Sequence, residues 1–203
     1  MFLDKKQHIQ KSAGGNLPHW HQDETIQFVT FRVADSLPQD VLIELNRASE
    51  KFKQQHQLPW NLNTKRKYRE IISLAEEKLL DNGYGSCPFK SDKTRKILRE
   101  SIFYNDGKDY EIIAYVIMPN HVHLLIQLFD DNKLDDILRS IKGYTARKIN
   151  KLYNRTGKFW MRESFDRIVR NVNELLQYIE YIEMNPKFLP DGEYELYISN
   201  VNF

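Results

Sequence analysis

The apolar positions along the chain follow two spacings, and these predict the order of its secondary structure. Runs of β-branched and aromatic residues predict four strands, at 25–34, 110–118, 121–128 and 164–171. Apolar residues that recur every three or four positions predict five helices, at 39–55, 64–81, 91–103, 132–153 and 172–185. Pro119 and Asn120 join the second and third strands tightly, so these two strands are predicted to form a hairpin.

This order of elements predicts an α+β fold. A strand, helices, a two-stranded hairpin, a helix and a strand match the β-α-β-β-α-β plan of the ferredoxin-like, split βαβ arrangement, with an antiparallel sheet. The plan needs one helix before the hairpin and three are predicted there, so we expect an extra helical insertion at about 56–103. We expect an irregular N-terminal arm at 1–24, one domain over 25–190 and a C-terminal tail at 191–203.

Composition limits the class of protein. The chain has 203 residues, of which 41% are hydrophobic, and this is enough for one domain with its own core. Cys87 is the single cysteine, so the chain has no intramolecular disulfide and no cysteine-rich metal site, which fits a reducing cytoplasm. No apolar run reaches the length of a membrane span, and the polar N-terminus lacks the apolar segment of a signal peptide. We therefore expect no membrane partner and a cytoplasmic location.

The stretch IMPNHVHLLIQL, at 117–128, places two histidines in a run that otherwise has the pattern of a buried strand. Residues two apart on a strand point to the same face, so His121 and His123 project together and could hold one divalent ion. The alternative is a pair of ordinary, half-exposed histidines. Two imidazoles do not complete a coordination shell, so a metal site needs a third ligand from elsewhere in the chain.

The last predicted helix offers a third ligand and a reacting group. Glu174, Tyr178, Tyr181 and Asn185 share one face, and Tyr181 and Asn185 are one turn apart. An amide oxygen suits a hard ion such as Mg²⁺ or Mn²⁺, and a phenol beside such an ion can attack a phosphodiester to form a covalent phosphotyrosine link. The alternative is an amphipathic helix whose tyrosines lie at the edge of the core, with Asn185 as a helix-end residue.

The segment 139–170 is rich in basic residues, and aromatic residues lie between them. Basic side chains contact phosphates and aromatic rings stack on unpaired bases, so this segment is predicted to bind nucleic acid. A solvated basic face is the alternative. The candidate DNA-binding residues are Arg139, Lys142, Arg147, Lys148, Lys151, Arg155, Lys158, Trp160, Arg162, Arg167 and Arg170.

These motifs resemble those of a known family. VIMPNHVHLLI resembles the histidine–hydrophobic–histidine (HUH) motif of single-tyrosine transposases of the insertion-sequence kind. FWMRESFDRIVRN followed by YIEYIEMNP resembles the C-terminal signature of the REP-associated tyrosine transposases, and LPHWHQDETIQFVTFRV resembles their N-terminal strand. The resemblance spans about 15–190, and the motifs occur in the same order.

The resemblance implies a ferredoxin-like fold, dependence on Mg²⁺ or Mn²⁺, and cutting of single-stranded DNA beside a hairpin through a 5′-phosphotyrosine intermediate. It assigns metal ligation to His121, His123 and Asn185, and nucleophilic attack to Tyr181. Tyr144 is an alternative nucleophile, although the residue four positions later, Lys148, cannot bind a metal while it is protonated. The expected partner is single-stranded DNA with hairpins or palindromes, and the expected location is therefore the cytoplasmic nucleoid.

Two other functions remain open at this stage. One is a DNA-hairpin binding protein that performs no chemistry. The other is a hydrolytic metal-dependent phosphodiesterase, which would not need Tyr181. The sequence is equally compatible with a monomer and with a homodimer.

Overall fold

The computed structural model of the chain describes residues 2–3, 10–12, 19–21, 24–57, 59–61, 63–64, 67–68, 71, 75, 79–80 and 82–200. Its strands are β1 (Gln10–Ser12), β2 (His19–His21), β3 (Ile26–Arg32), β4 (Tyr110–Ile117), β5 (His121–Leu128), β6 (Phe165–Ile168) and β7 (Glu195–Ile198). Its helices are α1 (Gln39–Gln55), α2 (Asp92–Phe103), α3 (Leu134–Leu152) and α4 (Val172–Met184), and a short 3₁₀ turn covers Pro88–Lys90. None of the described helices is long and apolar enough to cross a lipid bilayer.

The four predicted strands and four of the five predicted helices are confirmed. The fifth prediction, a helix at 64–81, lies partly outside the described residues, and the positions between 63 and 80 that are described have helical backbone. The predicted hairpin is β4–β5, whose turn is closed by the backbone hydrogen bond from the Met118 N–H to the His121 carbonyl, at 2.9 Å.

The main sheet has five strands in the order β6-β3-β5-β4-β7, and every neighbouring pair is antiparallel. Without β7, the remaining strands have the order expected of a split βαβ arrangement, with the first strand, β3, between the last strand, β6, and the hairpin strand β5. The α+β, ferredoxin-like fold class predicted from the sequence is therefore confirmed.

The sheet is covered on both faces, because alternate residues of each strand point to opposite sides. On one face, Val29 and Val122 pack in a core with α2 and α3, which contribute Leu98 and Ile141 among others. On the other face, Phe28 and Leu125 pack in a second core with Leu175 and Ile182 of α4. Both faces of the central strands are buried, which explains why β4 and β5 are nearly continuous apolar runs.

The chain divides into two compact units. One contains the main sheet and consists of 1–34 and 88–203, and the other is Asp35–Cys87. Within the second unit, the ring of Phe52 stacks on His56 and contacts Trp60 and Tyr68 at their edges. The predicted insertion, about 56–103, has different bounds from this second unit. The helix α1 belongs to the second unit, whereas α2 packs in the core of the sheet.

Three strands were not predicted. The arm 1–24, expected to be irregular, contains β1 and β2, which pair with each other in antiparallel register. The tail 191–203 contains β7, which pairs with β4, and Glu195 accepts hydrogen bonds from the Tyr115 hydroxyl and from Arg99. The sequence did not indicate these strands, because strands of three or four residues have too little alternation to be recognised and β7 pairs with a distant strand.

Candidate active site

His121 and His123 lie on the α4 face of the sheet, and both are almost fully buried. Their Nε2 atoms are 3.1 Å apart, so the two imidazoles converge on one point. The register of β3 and β5 places Arg32 opposite His121 and Thr30 opposite His123. The strand geometry is therefore the reason that both histidines project to the same side. Their deep burial differs from the alternative of two ordinary, half-exposed histidines.

The remaining ring nitrogen of each histidine contacts a side-chain oxygen. Nδ1 of His121 is 2.8 Å from Oδ1 of Asn120, and Nδ1 of His123 is 2.7 Å from Oγ1 of Thr30. Metal-binding histidines commonly have such a partner on the second nitrogen, because it orients the ring and leaves the first nitrogen for the ion. The sequence reasoning missed both partners, although Thr30 stands out as a hydroxyl in the apolar strand TIQFVTFRV.

Burial keeps both imidazoles uncharged. It lowers the pKa of His121 to about 3, and the nearby positive charge of Arg32 acts in the same direction. Burial also lowers the pKa of His123 well below its usual value, with a further contribution from His121. At neutral pH both rings are therefore neutral, and a neutral imidazole is the form that binds a metal ion.

Tyr181 reaches the histidines from α4. Its hydroxyl lies 3.3 Å from Nε2 of His123, and the two rings meet edge to face with centroids 5.0 Å apart. Phe28 packs beside both rings, stacked on His123 at 5.7 Å and edge-on to Tyr181 at 5.9 Å. The helix begins at the cap residue Asn171, whose side chain accepts a hydrogen bond from the Glu174 N–H.

Asn185 follows Tyr181 by one helical turn and has helical backbone angles. Its amide oxygen Oδ1 is buried and has no hydrogen-bond partner among the described residues, which is an unfavourable state for a polar atom unless a ligand satisfies it. Among the described residues no three His, Cys, Asp or Glu side chains form a metal-binding cluster. An amide oxygen together with two neutral imidazoles fits a divalent cation.

Glu174 connects α4 to the end of β6. Its carboxylate forms a bidentate pair with Arg170, at 2.9 and 3.0 Å, and a contact of 2.6 Å with Arg167. Burial opposes its ionisation, but the hydrogen bonds from Arg170 and the two positive charges outweigh burial and hold the pKa of this carboxyl below its usual value. Arg167 and Arg170, both predicted to bind DNA, are therefore engaged in seating α4.

Two of the other predicted DNA-binding residues are wholly or partly buried, and the rest are exposed. Lys142 is half-buried and donates hydrogen bonds to Met161, Arg162 and Ser164, and burial lowers its pKa to about 8. Trp160 is buried, with its ring against Phe31 and its indole N–H bonded to Thr145, so it packs in the core. The remaining residues are exposed, on α3 and the loop after it: Arg139, Arg147, Lys148, Lys151, Arg155, Lys158 and Arg162.

Tyr144, the alternative nucleophile, and Tyr178, which shares a helix face with Tyr181, occupy different positions. Tyr144 is exposed on α3, on the opposite side of the sheet from the histidines, and Lys148 lies over its ring at 5.6 Å. Tyr178 is half-buried and stacks on Phe28 at 4.2 Å. Of the three tyrosines considered from the sequence, Tyr181 is the one whose hydroxyl contacts a predicted ligand histidine.

Comparisons with known proteins show similarity to one family over part of the chain. Residues 88–185 match the model of the family described as "Transposase IS200 like". Over this segment the chain is similar to the IS200-like transposases. The matched segment contains His121, His123, Tyr181 and Asn185, so the resemblance indicated by the motifs is confirmed.

Two individual proteins show the extent of the similarity. A Haemophilus influenzae protein with the provisional name REP-associated tyrosine transposase is 32% identical over 88 residues, which are 38% of this chain and 49% of that protein. The chain thus spans about half the length of this curated relative. A solved REP-associated tyrosine transposase bound to a REP hairpin is similar with a TM-score of 0.48 and 16% identity, over 85% of this chain and 73% of the other.

Proposed function

We propose that the chain is a metal-dependent enzyme that cleaves and rejoins single-stranded DNA at hairpin or palindromic sequences through a 5′-phosphotyrosine intermediate. The observation that carries this proposal is the 3.3 Å contact between the Tyr181 hydroxyl and Nε2 of His123. A protein that only bound DNA would not need a tyrosine beside two converging histidines. The similarity to IS200-like transposases over 88–185 supports the same activity.

In the proposed reaction the oxygen of Tyr181 attacks a backbone phosphorus. A bond forms between this oxygen and phosphorus while the bond from phosphorus to the 3′-oxygen breaks, and the phenolic proton ends on the departing 3′-hydroxyl. One phosphate ester replaces another, so the energy of the phosphodiester is retained. The 3′-hydroxyl of a second strand can reverse the step, which joins the strands and restores the free tyrosine.

His121, His123 and Asn185 would hold Mg²⁺ or Mn²⁺. When bound, such an ion stabilises the negative charge that develops on the phosphate oxygens. The protein contributes two neutral imidazoles whose Nε2 atoms converge, and an amide oxygen without a hydrogen-bond partner in the described part of the chain. The two histidines are almost fully buried on the α4 face of the sheet, whereas Tyr181 and Asn185 are half-buried beside them.

The exposed basic residues of α3 and the following loop would bind the phosphates of the hairpin. Arg147, Lys148 and Lys151 extend outward from the helix, and the exposed rings of Tyr144 and Tyr153 lie among them. These exposed tyrosines, rather than the buried Trp160, are available to stack on unpaired bases. Because α3 and Tyr181 lie on opposite faces of the sheet, the DNA must extend from a hairpin on α3 to a single-stranded segment at the tyrosine.

A gel assay tests this proposal. Single-stranded oligonucleotides that carry the palindromes flanking the gene are incubated with Mg²⁺ or Mn²⁺ and with the wild type, Tyr181→Phe or Tyr178→Phe. We expect a denaturation-resistant protein–DNA adduct that requires metal, persists in Tyr178→Phe and disappears in Tyr181→Phe. Tyr178 is the matched control because it is a half-buried tyrosine on the same helix, one turn earlier.

The other outcomes identify the alternatives. An adduct that persists in Tyr181→Phe and disappears in Tyr144→Phe would transfer the nucleophilic role to α3. Metal-dependent cleavage without any adduct, unaffected by Tyr181→Phe, would indicate a hydrolytic phosphodiesterase. Tight hairpin binding without cleavage would indicate a non-catalytic DNA-binding protein.

A further inference from the structure

Asn120 and Thr30 contact the outer nitrogens of the two histidines and have no role in the chemistry proposed above. We propose that they are positioning residues: Asn120 keeps His121 in one tautomer, and Thr30 allows His123 to exchange tautomers when a divalent cation binds. This inference rests on the proposed function, because it concerns the same pair of histidines. The contact of Asn120 with His121 and that of Thr30 with His123 are nearly equal in length, but the two side chains have different tasks.

The side-chain oxygen of Asn120 is the hydrogen-bond acceptor that faces His121. Asn120 lies fully buried in the β4–β5 turn, where its backbone carbonyl accepts from the Val33 N–H at 2.9 Å. The side-chain oxygen, 2.8 Å from Nδ1 of His121, can accept a hydrogen bond but cannot donate one. Nδ1 of His121 is therefore the protonated nitrogen, and Nε2 of this ring has the lone pair.

The contact between the rings then determines the state of His123 in the metal-free protein. Its Nε2 lies 3.1 Å from the unprotonated Nε2 of His121, a hydrogen-bond distance that requires one proton between the two atoms. That proton belongs to His123. A neutral imidazole has one N–H, so Nδ1 of His123 is unprotonated and accepts from the Thr30 hydroxyl. The Tyr181 oxygen, at 3.3 Å, is a second and more distant acceptor for the same N–H.

Binding one cation through both Nε2 atoms requires a lone pair on each ring. His123 must then lose its proton at Nε2 and gain one at Nδ1, and the protonated Nδ1 needs an acceptor. A hydroxyl can serve in both states, because rotation about the bond from Cβ to Oγ1 converts it from donor to acceptor. The net charge of the ring does not change in this exchange. A carbonyl or carboxylate at the position of Thr30 would instead favour one tautomer.

Long-range ¹H–¹⁵N spectra of the imidazole nitrogens test this directly in the full ¹⁵N-labelled chain. Without metal we expect a protonated Nδ1 in His121 and a protonated Nε2 in His123. With saturating Mg²⁺, which is diamagnetic, we expect both rings to have a protonated Nδ1. A metal-free His123 that already has its proton on Nδ1, or a His123 that keeps Nε2–H in saturating Mg²⁺, would overturn the inference.

A matched pair of variants separates positioning from packing. Thr30→Val keeps the shape and removes the hydroxyl, so we expect the affinity for Mn²⁺, measured by electron paramagnetic resonance titration, to fall by roughly 10–100-fold. Thr30→Ser keeps the hydroxyl, and we expect an affinity close to that of the wild type. Equal losses in the two variants, no loss in Thr30→Val, or a wild type that binds no Mn²⁺ would overturn the inference.

These measurements use no DNA and can be repeated with Tyr181→Phe. Their outcome is therefore independent of the adduct assay. If the tautomers exchange and no adduct forms, the proposed function fails while the inference stands. If the adduct forms and the tautomers do not exchange, only the inference fails.

Discussion

The hydroxyl of Tyr181 and Nε2 of His123 lie 3.3 Å apart, although 58 residues separate them in the chain. The tyrosine is presented by α4 and the histidine by β5, so the contact exists only while α4 is seated on the sheet. Glu174 seats the first turn of this helix through Arg167 and Arg170. We therefore expect side chains two turns away from Tyr181 to affect the geometry of the candidate site.

Replacing Glu174 by Gln removes the charge that pairs with both arginines. We expect the free energy of unfolding, measured with urea at pH 7, to fall by about 2 kcal/mol, because hydrogen bonds to a charged group are lost in a largely buried position. The yield of adduct should fall as well, because α4 is held less firmly. Glu183→Gln, at an exposed position of the same helix, is the control. Equal unfolding free energies for the two variants would show that the arginine pairs do not seat the helix.

The buried histidines predict a loss of stability in mild acid. In the folded chain the pKa of His121 is lowered to about 3, and the pKa of His123 also lies well below 6.5. Below pH 6.5 the unfolded chain therefore takes up protons that the folded chain does not. The two rings therefore leave the free energy of unfolding at its full value above pH 6.5. Below pH 6.5 each ring lowers it by about 1.4 kcal/mol per pH unit. The effect of Glu174 has a different window, since it is lost only as the pH falls below 4.5.

Urea unfolding at pH 7, 6 and 5 in a chelating buffer measures this dependence. The double variant His121→Gln, His123→Gln should have a distinctly flatter profile than the wild type between pH 6.5 and 5. Identical slopes for the two proteins would mean that the rings are protonated in the folded state. That result would also remove the basis for treating them as neutral ligands.

The basic surface of α3 predicts a salt-dependent affinity for DNA. We expect Lys148→Gln and Lys151→Gln each to weaken hairpin binding and to reduce the slope of log K against log salt by about 1, which corresponds to one lost phosphate contact. Lys96→Gln, at an exposed position of α2, is the control. Fluorescence anisotropy at several salt concentrations measures the slopes. A change in slope for Lys96→Gln equal to that for the α3 variants would contradict this location of the DNA.

Two aromatic residues of the basic segment should differ in their effects. Trp160→Ala removes a buried ring and its hydrogen bond to Thr145, so we expect a loss of about 3–5 kcal/mol in the free energy of unfolding. Tyr153→Ala removes an exposed ring, and we expect little change in stability but weaker binding of unpaired bases. Urea unfolding and anisotropy with single-stranded DNA distinguish the two effects. Unchanged stability in Trp160→Ala would contradict its place in the core.

Much of the fold can be predicted from the sequence because its central elements have strong patterns. The hairpin strands β4 and β5 are long apolar runs buried on both faces, and α3 and α4 repeat apolar residues at helical spacing. By contrast, β7 has four residues, and its place depends on pairing with β4 and on the contact of Glu195 with Tyr115. A local pattern contains no information about such a distant partner.

The candidate site likewise contains residues whose positions follow from local sequence patterns and residues whose positions do not. The positions of His121 and His123 on one strand face, and of Tyr181 and Asn185 on one helix face, follow from strand and helix periodicity alone. Thr30 joins the site only through the register of β3 against β5, which the sequence does not specify. Trp160 has basic neighbours in the sequence and was expected at the surface, but its backbone bridges to Val33 and places the ring in the core.

Mapping the covalent link by mass spectrometry tests the central claim most directly, because it uses the wild-type protein. The adduct formed with a palindromic oligonucleotide and Mn²⁺ is digested with nuclease and trypsin, and the nucleotide-bearing peptide is fragmented. Cleavage after Arg170 and Lys187 places Tyr178 and Tyr181 in one peptide, while Tyr144 falls in another. We predict a 5′-phosphonucleotide on Tyr181. A nucleotide on Tyr178 or Tyr144, or on no tyrosine, would contradict the account.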